Sequence, residues 1–136
     1  MKVTITLTAE QVYTIQEALE LFSRIHMGQF DIIEWQMQID TFDPTLKRPK
    51  YDRQAAQLYL NQARQTIFTD INSNSYIGIL NTAERSKIAW DIYQQIRHDI
   101  SHFRSPNEPL ESRGNCFDKP FVVSKQPLPK VVITGE

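Results

Sequence analysis

Hydrophobic positions alternate with polar ones at the start of the chain and then change to a helical spacing. Residues 2–8 place apolar side chains at every second position, which predicts a half-buried strand. Thr8 and Gln11 then match a capping box, in which each side chain bonds the backbone N–H of the other residue. The pattern therefore predicts a strand followed by a helix that runs to about His26 and ends at Gly28.

Three further segments have the three- and four-residue spacing of amphipathic helices: about residues 30–39, about residues 52–69, and a last one that follows a second capping box at residues 81–84 and runs to about residue 103. The last of them has the most regular apolar stripe, which we expect to face the interior. The stripe consists of Ile88, Ile92, Ile96, Ile100 and Phe103. Residues 43–50 carry two prolines and are expected to form a loop. Residues 71–80 combine turn-forming residues with large apolar ones, so we expect this segment to be pinned to the body of the protein.

Two short apolar runs near the end of the chain, residues 121–123 and 131–134, have the composition of short strands. A strand at each end of the chain needs a partner for its backbone groups, so we expect the two ends to pair or a second subunit to complete the sheet. The sequence therefore predicts a single domain over residues 1–136. Its fold is expected to be mainly α (α+β), with about four helices and a small antiparallel β element formed by the N- and C-terminal segments.

Composition narrows the classes of function. The chain has 136 residues, 40% hydrophobic and 23% charged, which is typical of one globular domain. A formal net charge of −1 argues against generic nucleic-acid binding, which requires a basic surface. No apolar run reaches the roughly 20 residues of a membrane span. A single cysteine, Cys116, excludes an internal disulfide. We expect a cytoplasmic protein with no membrane partner.

The outer face of the last predicted helix carries Trp90, Tyr93 and Arg97 at helical spacing. One interpretation is that these aromatic rings only pack against another part of the protein. The other is that they stack on a planar ligand while the arginine binds its phosphate or carboxylate.

Polar residues elsewhere in the sequence complete this candidate binding site. They are His98 on a neighbouring line of the same helix, Asn74, Ser75 and Tyr76 in the pinned segment, and Arg24 and Gln29 beside Gly28. We expect the nine residues to bind a small nucleotide-type molecule. No catalytic group, cofactor or metal site is assigned.

Two other interpretations of the last helix remain open. His98 and His102 are four residues apart and could chelate a metal, although a hydrogen-bonded pair is the more common outcome. The spacing of Arg97 and His102 resembles the motif of the HEPN ribonucleases, in which arginine stabilises phosphate charge and histidine transfers protons. That resemblance covers six residues.

A wider resemblance covers most of the chain. It is carried by EALELFSRIHMGQF at residues 17–30, NSYIGI at 74–79, AWDIYQQIRH at 89–98, FDKPF at 117–121 and PLP at 127–129. With these segments the chain resembles a group of small accessory proteins from bacteriophages and prophages. Some accessory proteins of this origin sequester the nucleotide signals of host defence without cleaving them. In that group the position of His102 is often tryptophan, which would make the ribonuclease-like spacing incidental.

The resemblance implies a phage-encoded, non-enzymatic protein in the cytoplasm of the infected bacterial cell, which binds a small nucleotide-derived immune signal. Tight capture favours a site enclosed between subunits, so we also expect a homo-oligomer. The alternatives are a metal-independent ribonuclease using Arg97 and His102, and a protein-interaction inhibitor of a host enzyme. In the latter case Trp90 and Tyr93 would be interface hot spots.

Overall fold

The computed structural model describes residues 1–72, 74–104 and 119–135, and Cys116 lies outside them. Within these ranges the chain forms four α-helices and one antiparallel pair of short strands. The elements are α1 (Ala9–His26), α2 (Asp31–Asp40), β1 (Phe42–Asp43), β2 (Arg48–Pro49), α3 (Arg53–Ile67), a single 3₁₀ turn (Ile79–Asn81) and α4 (Glu84–Arg104). The prediction of a mainly α fold with about four helices and a small antiparallel β element is confirmed.

The position predicted for that β element is wrong. Residues 1–8 and 119–135 contain no strand. Alternation of apolar side chains predicts a strand only if one face becomes buried. Val3 and Ile5 are 70% and 68% exposed, and Phe121 is 88% exposed, so neither the first run nor the run at 121–123 buries a complete apolar face. Val131 and Ile133 are half-buried without forming a strand.

The strands instead bracket the loop after α2, with Phe42 opposite Pro49. The Asp43 carboxylate closes the connecting turn, because its Oδ1 accepts hydrogen bonds from the N–H groups of Thr45 and Leu46 at 2.8 and 3.2 Å. Such a turn is local chemistry that aspartate favours. The segment predicted to be a loop therefore contains the hairpin.

Helix α1 begins with the predicted capping box. The Thr8 N–H donates to Gln11 Oε1 at 2.9 Å, and the Gln11 N–H donates to Thr8 Oγ1 at 3.3 Å. Two backbone donors that the helix itself cannot pair are thus satisfied.

The other end of α1 is closed around Gly28, whose φ is +78°. The Gly28 N–H donates to the Ile25 carbonyl at 3.0 Å, and the Gln29 N–H donates to the Arg24 carbonyl at 2.9 Å. These are the two bonds of a Schellman motif, and glycine adopts the required left-handed backbone without a Cβ penalty. The turn aims the chain from α1 directly into α2.

The chain divides into two compact units. The first unit comprises Met1–Glu20 with Ala83–Glu136, and the second comprises Leu21–Thr82. The expectation of a single domain stays a prediction. None of the helices in the described parts of the chain is both long and apolar enough to cross a membrane.

A buried carboxylate organises the second unit. Glu34 on α2 is 5% exposed and accepts hydrogen bonds from Tyr51 Oη at 2.7 Å, Arg53 Nε at 2.8 Å and Gln57 Nε2 at 3.4 Å. The Arg53 hydrogen bond holds the pKa of Glu34 below its ordinary value, and it outweighs the opposing effect of burial. These bonds join α2 to the start of α3.

A second buried carboxylate organises the first unit. Asp91 on α4 is 2% exposed and accepts hydrogen bonds from the backbone N–H groups of Val123 and Ser124 at 3.0 and 2.9 Å. The next N–H, of Lys125, donates to the carboxylate of Glu84. Three successive amides of the C-terminal segment are therefore held by two carboxylates of one helix.

The most buried face of α4 is not the predicted isoleucine stripe. The four isoleucines of that stripe are only half-buried, and Phe103 is 51% exposed. Ser86, Ala89 and Tyr93 are instead 0%, 6% and 3% exposed. Small side chains let neighbouring groups approach a helix closely, and a pattern that weighs only large apolar residues overlooks them.

Candidate functional site

The second unit contains a cleft with a volume of about 570 Å³. Its wall is built from three segments: residues 28–31, where α1 ends and α2 begins, one face of α3, and residues 74–76 of the loop that follows α3. The side chains contributed by α3 are Gln57, Leu60, Asn61 and Arg64. Apart from Phe30 and Leu60, the residues with large side chains in this wall carry polar groups.

Arg64 is the buried cation of this cleft, at 7% exposure. Its Nε donates to the Gly28 carbonyl at 2.7 Å, and Nη1 and Nη2 both donate to the Asn72 carbonyl at 3.1 Å. Among the described residues no carboxylate lies within ion-pair distance of this guanidinium. A buried charge is stable only when it is paired or well hydrogen-bonded, and here backbone carbonyls fill that role.

The loop at the cleft is fixed at both ends. Arg64 holds the Asn72 carbonyl, and the Ile77 N–H donates to the Met27 carbonyl at 2.8 Å. Within the loop, Asn72 Oδ1 accepts hydrogen bonds from the Asn74 N–H at 3.0 Å and from Ser75 Oγ at 2.9 Å. The prediction that this segment is pinned is confirmed.

Four of the nine residues predicted to bind a ligand line this one cleft: Gln29, Asn74, Ser75 and Tyr76. A fifth, Arg24, is not in the wall but donates from Nη1 to Gln29 Oε1 at 2.7 Å. The side-chain oxygen of Gln29 therefore accepts from Arg24, and the NH₂ group of the same amide can donate to a ligand. Tyr76 is 62% exposed, so its ring is accessible.

The other four predicted residues lie on α4 in the first unit. The rings of Trp90 and Tyr93 are 5.4 Å apart, and Arg97 Nη1 donates to the Tyr93 hydroxyl at 3.1 Å. Tyr93 is 3% exposed and belongs to the interior, which is the packing interpretation left open by the sequence. Trp90 is half-buried.

His98 lies beside His102, with ring centroids 4.4 Å apart in an edge-to-face arrangement. Within residues 1–72, 74–104 and 119–135, no group of three histidine, cysteine, aspartate or glutamate side chains could hold a metal ion. No third ligand therefore joins the two histidines in the described structure.

None of the residues that α3 contributes to the cleft is among those predicted from the sequence to bind a ligand. Gln57, Asn61 and Arg64 are spaced by four and three residues and form a polar line on one side of that helix. A polar line is usually a solvated face, so this spacing alone does not distinguish a cleft wall from a surface. What identifies it is the burial of Arg64, which the sequence does not show.

Comparisons with protein-family models, curated proteins and solved structures found no match to this chain. The binding function proposed below therefore rests on the geometry of the cleft.

Proposed function

We propose that this protein binds and sequesters a small nucleotide-derived molecule in the cleft of the second unit, without chemical conversion. The observation that carries the proposal is the buried guanidinium of Arg64, which lines the cleft without a carboxylate partner among the described residues. An anionic group bound in the cleft would supply the missing counter-charge.

The remaining wall suits a nucleotide. The exposed ring of Tyr76 offers a face on which a base can stack. Side-chain amides of Gln29, Gln57, Asn61 and Asn74 offer donors and acceptors for base edges or ribose hydroxyls. This wall can accommodate three parts of a ligand: a phosphate, a flat ring and several neutral hydrogen-bonding groups.

The biological setting rests on the resemblance to phage accessory proteins. We place the protein in the cytoplasm of an infected bacterial cell, where it would withhold a nucleotide signal from a host defence system. We also propose a homo-oligomer. Large apolar side chains on α2 support that step, because Trp35 and Ile39 lie one turn apart and are 53% and 59% exposed.

A thermal-shift screen of the full chain tests the proposal, with cyclic mononucleotides, which carry one negative charge, beside cyclic dinucleotides, cyclic trinucleotides and ADP-ribose derivatives. A ligand that binds the folded state raises the melting temperature according to RT ln(1 + [L]/Kd). For any hit, Tyr76→Ala should weaken binding by about tenfold, as expected for loss of one base-stacking contact. Tyr59→Ala is the matched control, since Tyr59 is 67% exposed on α3 and outside the cleft wall.

The proposal fails if no nucleotide in the screen stabilises the protein, or if the two tyrosine variants bind equally well. The fate of the ligand separates binding from catalysis, because a sequestered nucleotide is recovered with its mass unchanged. Cleavage of RNA by the wild type, abolished in His102→Ala, would instead support the ribonuclease alternative.

A further inference from the structure

The charges that line the cleft are few and opposite. Among the described residues that line it, Arg64 is the one basic residue and Asp31, in the first turn of α2, is the one carboxylate. The other polar residues of the wall are amides and hydroxyls. Arg24 donates a hydrogen bond to Gln29 but is not one of the residues that line the cleft. The lining residues therefore have no net charge.

Arg64 has few N–H groups left to donate to an anion. A guanidinium has five N–H groups. One, on Nε, is committed to the Gly28 carbonyl, and one on each terminal nitrogen is committed to the Asn72 carbonyl. Because a carbonyl already occupies the fork between Nη1 and Nη2, one N–H on each of these nitrogens remains, pointing away from the other. Each of the two remaining N–H groups can donate to one oxygen, but together they cannot form a two-pronged clamp on a phosphate.

Asp31 acts in the opposite direction on any additional charge. A second negative charge on the guest meets no further cation among the described residues of the wall, so its loss of hydration is not compensated there, and the exposed carboxylate of Asp31 adds a solvent-screened repulsion. From the charges of the wall we infer that the cleft selects nucleotides carrying one negative charge over those carrying two or more. This inference rests on the proposed function and names the charge class of its ligand.

Calorimetric titration with four probes of the same base tests the selection: adenosine, 3′,5′-cyclic AMP, AMP and ATP, which carry none, one, about two and more negative charges at pH 7.5. Cyclic AMP should bind more tightly than adenosine, because it gains the Arg64 contact. Each further charge should then weaken binding by about threefold.

Asp31→Asn should reduce that penalty, so that AMP and ATP gain severalfold in affinity relative to cyclic AMP. Asp40→Asn is the matched control, because it makes the same charge change at the exposed far end of α2. Affinity that rises steadily from adenosine to ATP, or an equal response to the two aspartate variants, overturns the charge selection while leaving nucleotide binding intact. If none of the four probes binds and the cyclic-dinucleotide, cyclic-trinucleotide and ADP-ribose screen also has no hit, both proposals fall.

Discussion

Each of the two units contains a site with one tyrosine and one arginine. The two sites differ in whether the tyrosine ring is buried or exposed. On α4 of the first unit, Tyr93 is 3% exposed and its hydroxyl accepts a hydrogen bond from Arg97. In the second unit the arrangement is reversed. Arg64 is buried and bonded to backbone carbonyls, while Tyr76 in the same cleft wall is 62% exposed.

This reversal shows which side chain is available to a guest. A buried ring with a satisfied hydroxyl contributes to the interior and has no face left for a ligand. An exposed ring in the same cleft wall as a buried cation leaves a face on which the proposed ligand can stack. Identical residue types thus serve packing in one unit and suit binding in the other.

The largest effect that tests this comparison is on stability. Tyr93→Ala should lower the free energy of unfolding by about 3–5 kcal/mol, because it removes a buried aromatic ring and leaves a cavity. Tyr76→Ala should change it by less than about 0.5 kcal/mol, as is usual for an exposed side chain. Urea denaturation of the three proteins measures both values. A Tyr93→Ala variant as stable as the wild type would return the α4 face to consideration as a ligand wall.

The second test concerns Glu34, the buried carboxylate that joins α2 to the start of α3. Glu34→Gln should cost about 1–3 kcal/mol at pH 7, because hydrogen bonds to a buried charged group are lost. The pKa of Glu34 is lowered in the folded protein from an ordinary value of 4.5. Its stabilising effect is therefore fully present above pH 4.5 and is lost as the pH falls through the folded-state value.

The stability difference between wild type and Glu34→Gln should accordingly shrink in acid, as followed by urea denaturation from pH 7 down to pH 3. Asp40→Asn, on the exposed end of the same helix, should show no comparable gap at pH 7. A gap that stays constant across this range would mean that the ionised form of Glu34 is not what the network stabilises.

The start and the end of α1 could be predicted from the sequence, because the groups that form them lie within a few residues of each other. Thr8 with Gln11 starts α1, and Gly28 ends it, as their spacing and residue types require. The mixture of turn-forming and apolar residues in 71–80 also predicted a pinned loop and led to Asn74, Ser75 and Tyr76, which line the cleft. The groups that hold this loop, on Arg64 and Met27, were not predicted.

Contacts between residues that lie far apart in the chain could not be predicted from the sequence. Residues 2–8 have a strand pattern, but whether a strand forms depends on a neighbour that the pattern does not specify. The role of Tyr93 depends on what covers α4. The role of Arg64 depends on carbonyls 36 and 8 residues away along the chain, at Gly28 and Asn72. A single sequence gives no measure of such distances in space.

The smallest predicted effect tests whether the ring or the hydroxyl of Tyr76 binds the ligand. Tyr76→Phe keeps the ring and removes only the hydroxyl, so a nucleotide found in the screen should bind within about twofold of its wild-type affinity, while Tyr76→Ala loses about tenfold. Calorimetry on the two variants, with the same ligand, measures the difference. If phenylalanine costs as much as alanine, the hydroxyl and not the ring holds the guest. In that case Tyr76 would act as a hydrogen-bonding group, and the flat ring assigned to the ligand would lose its structural support.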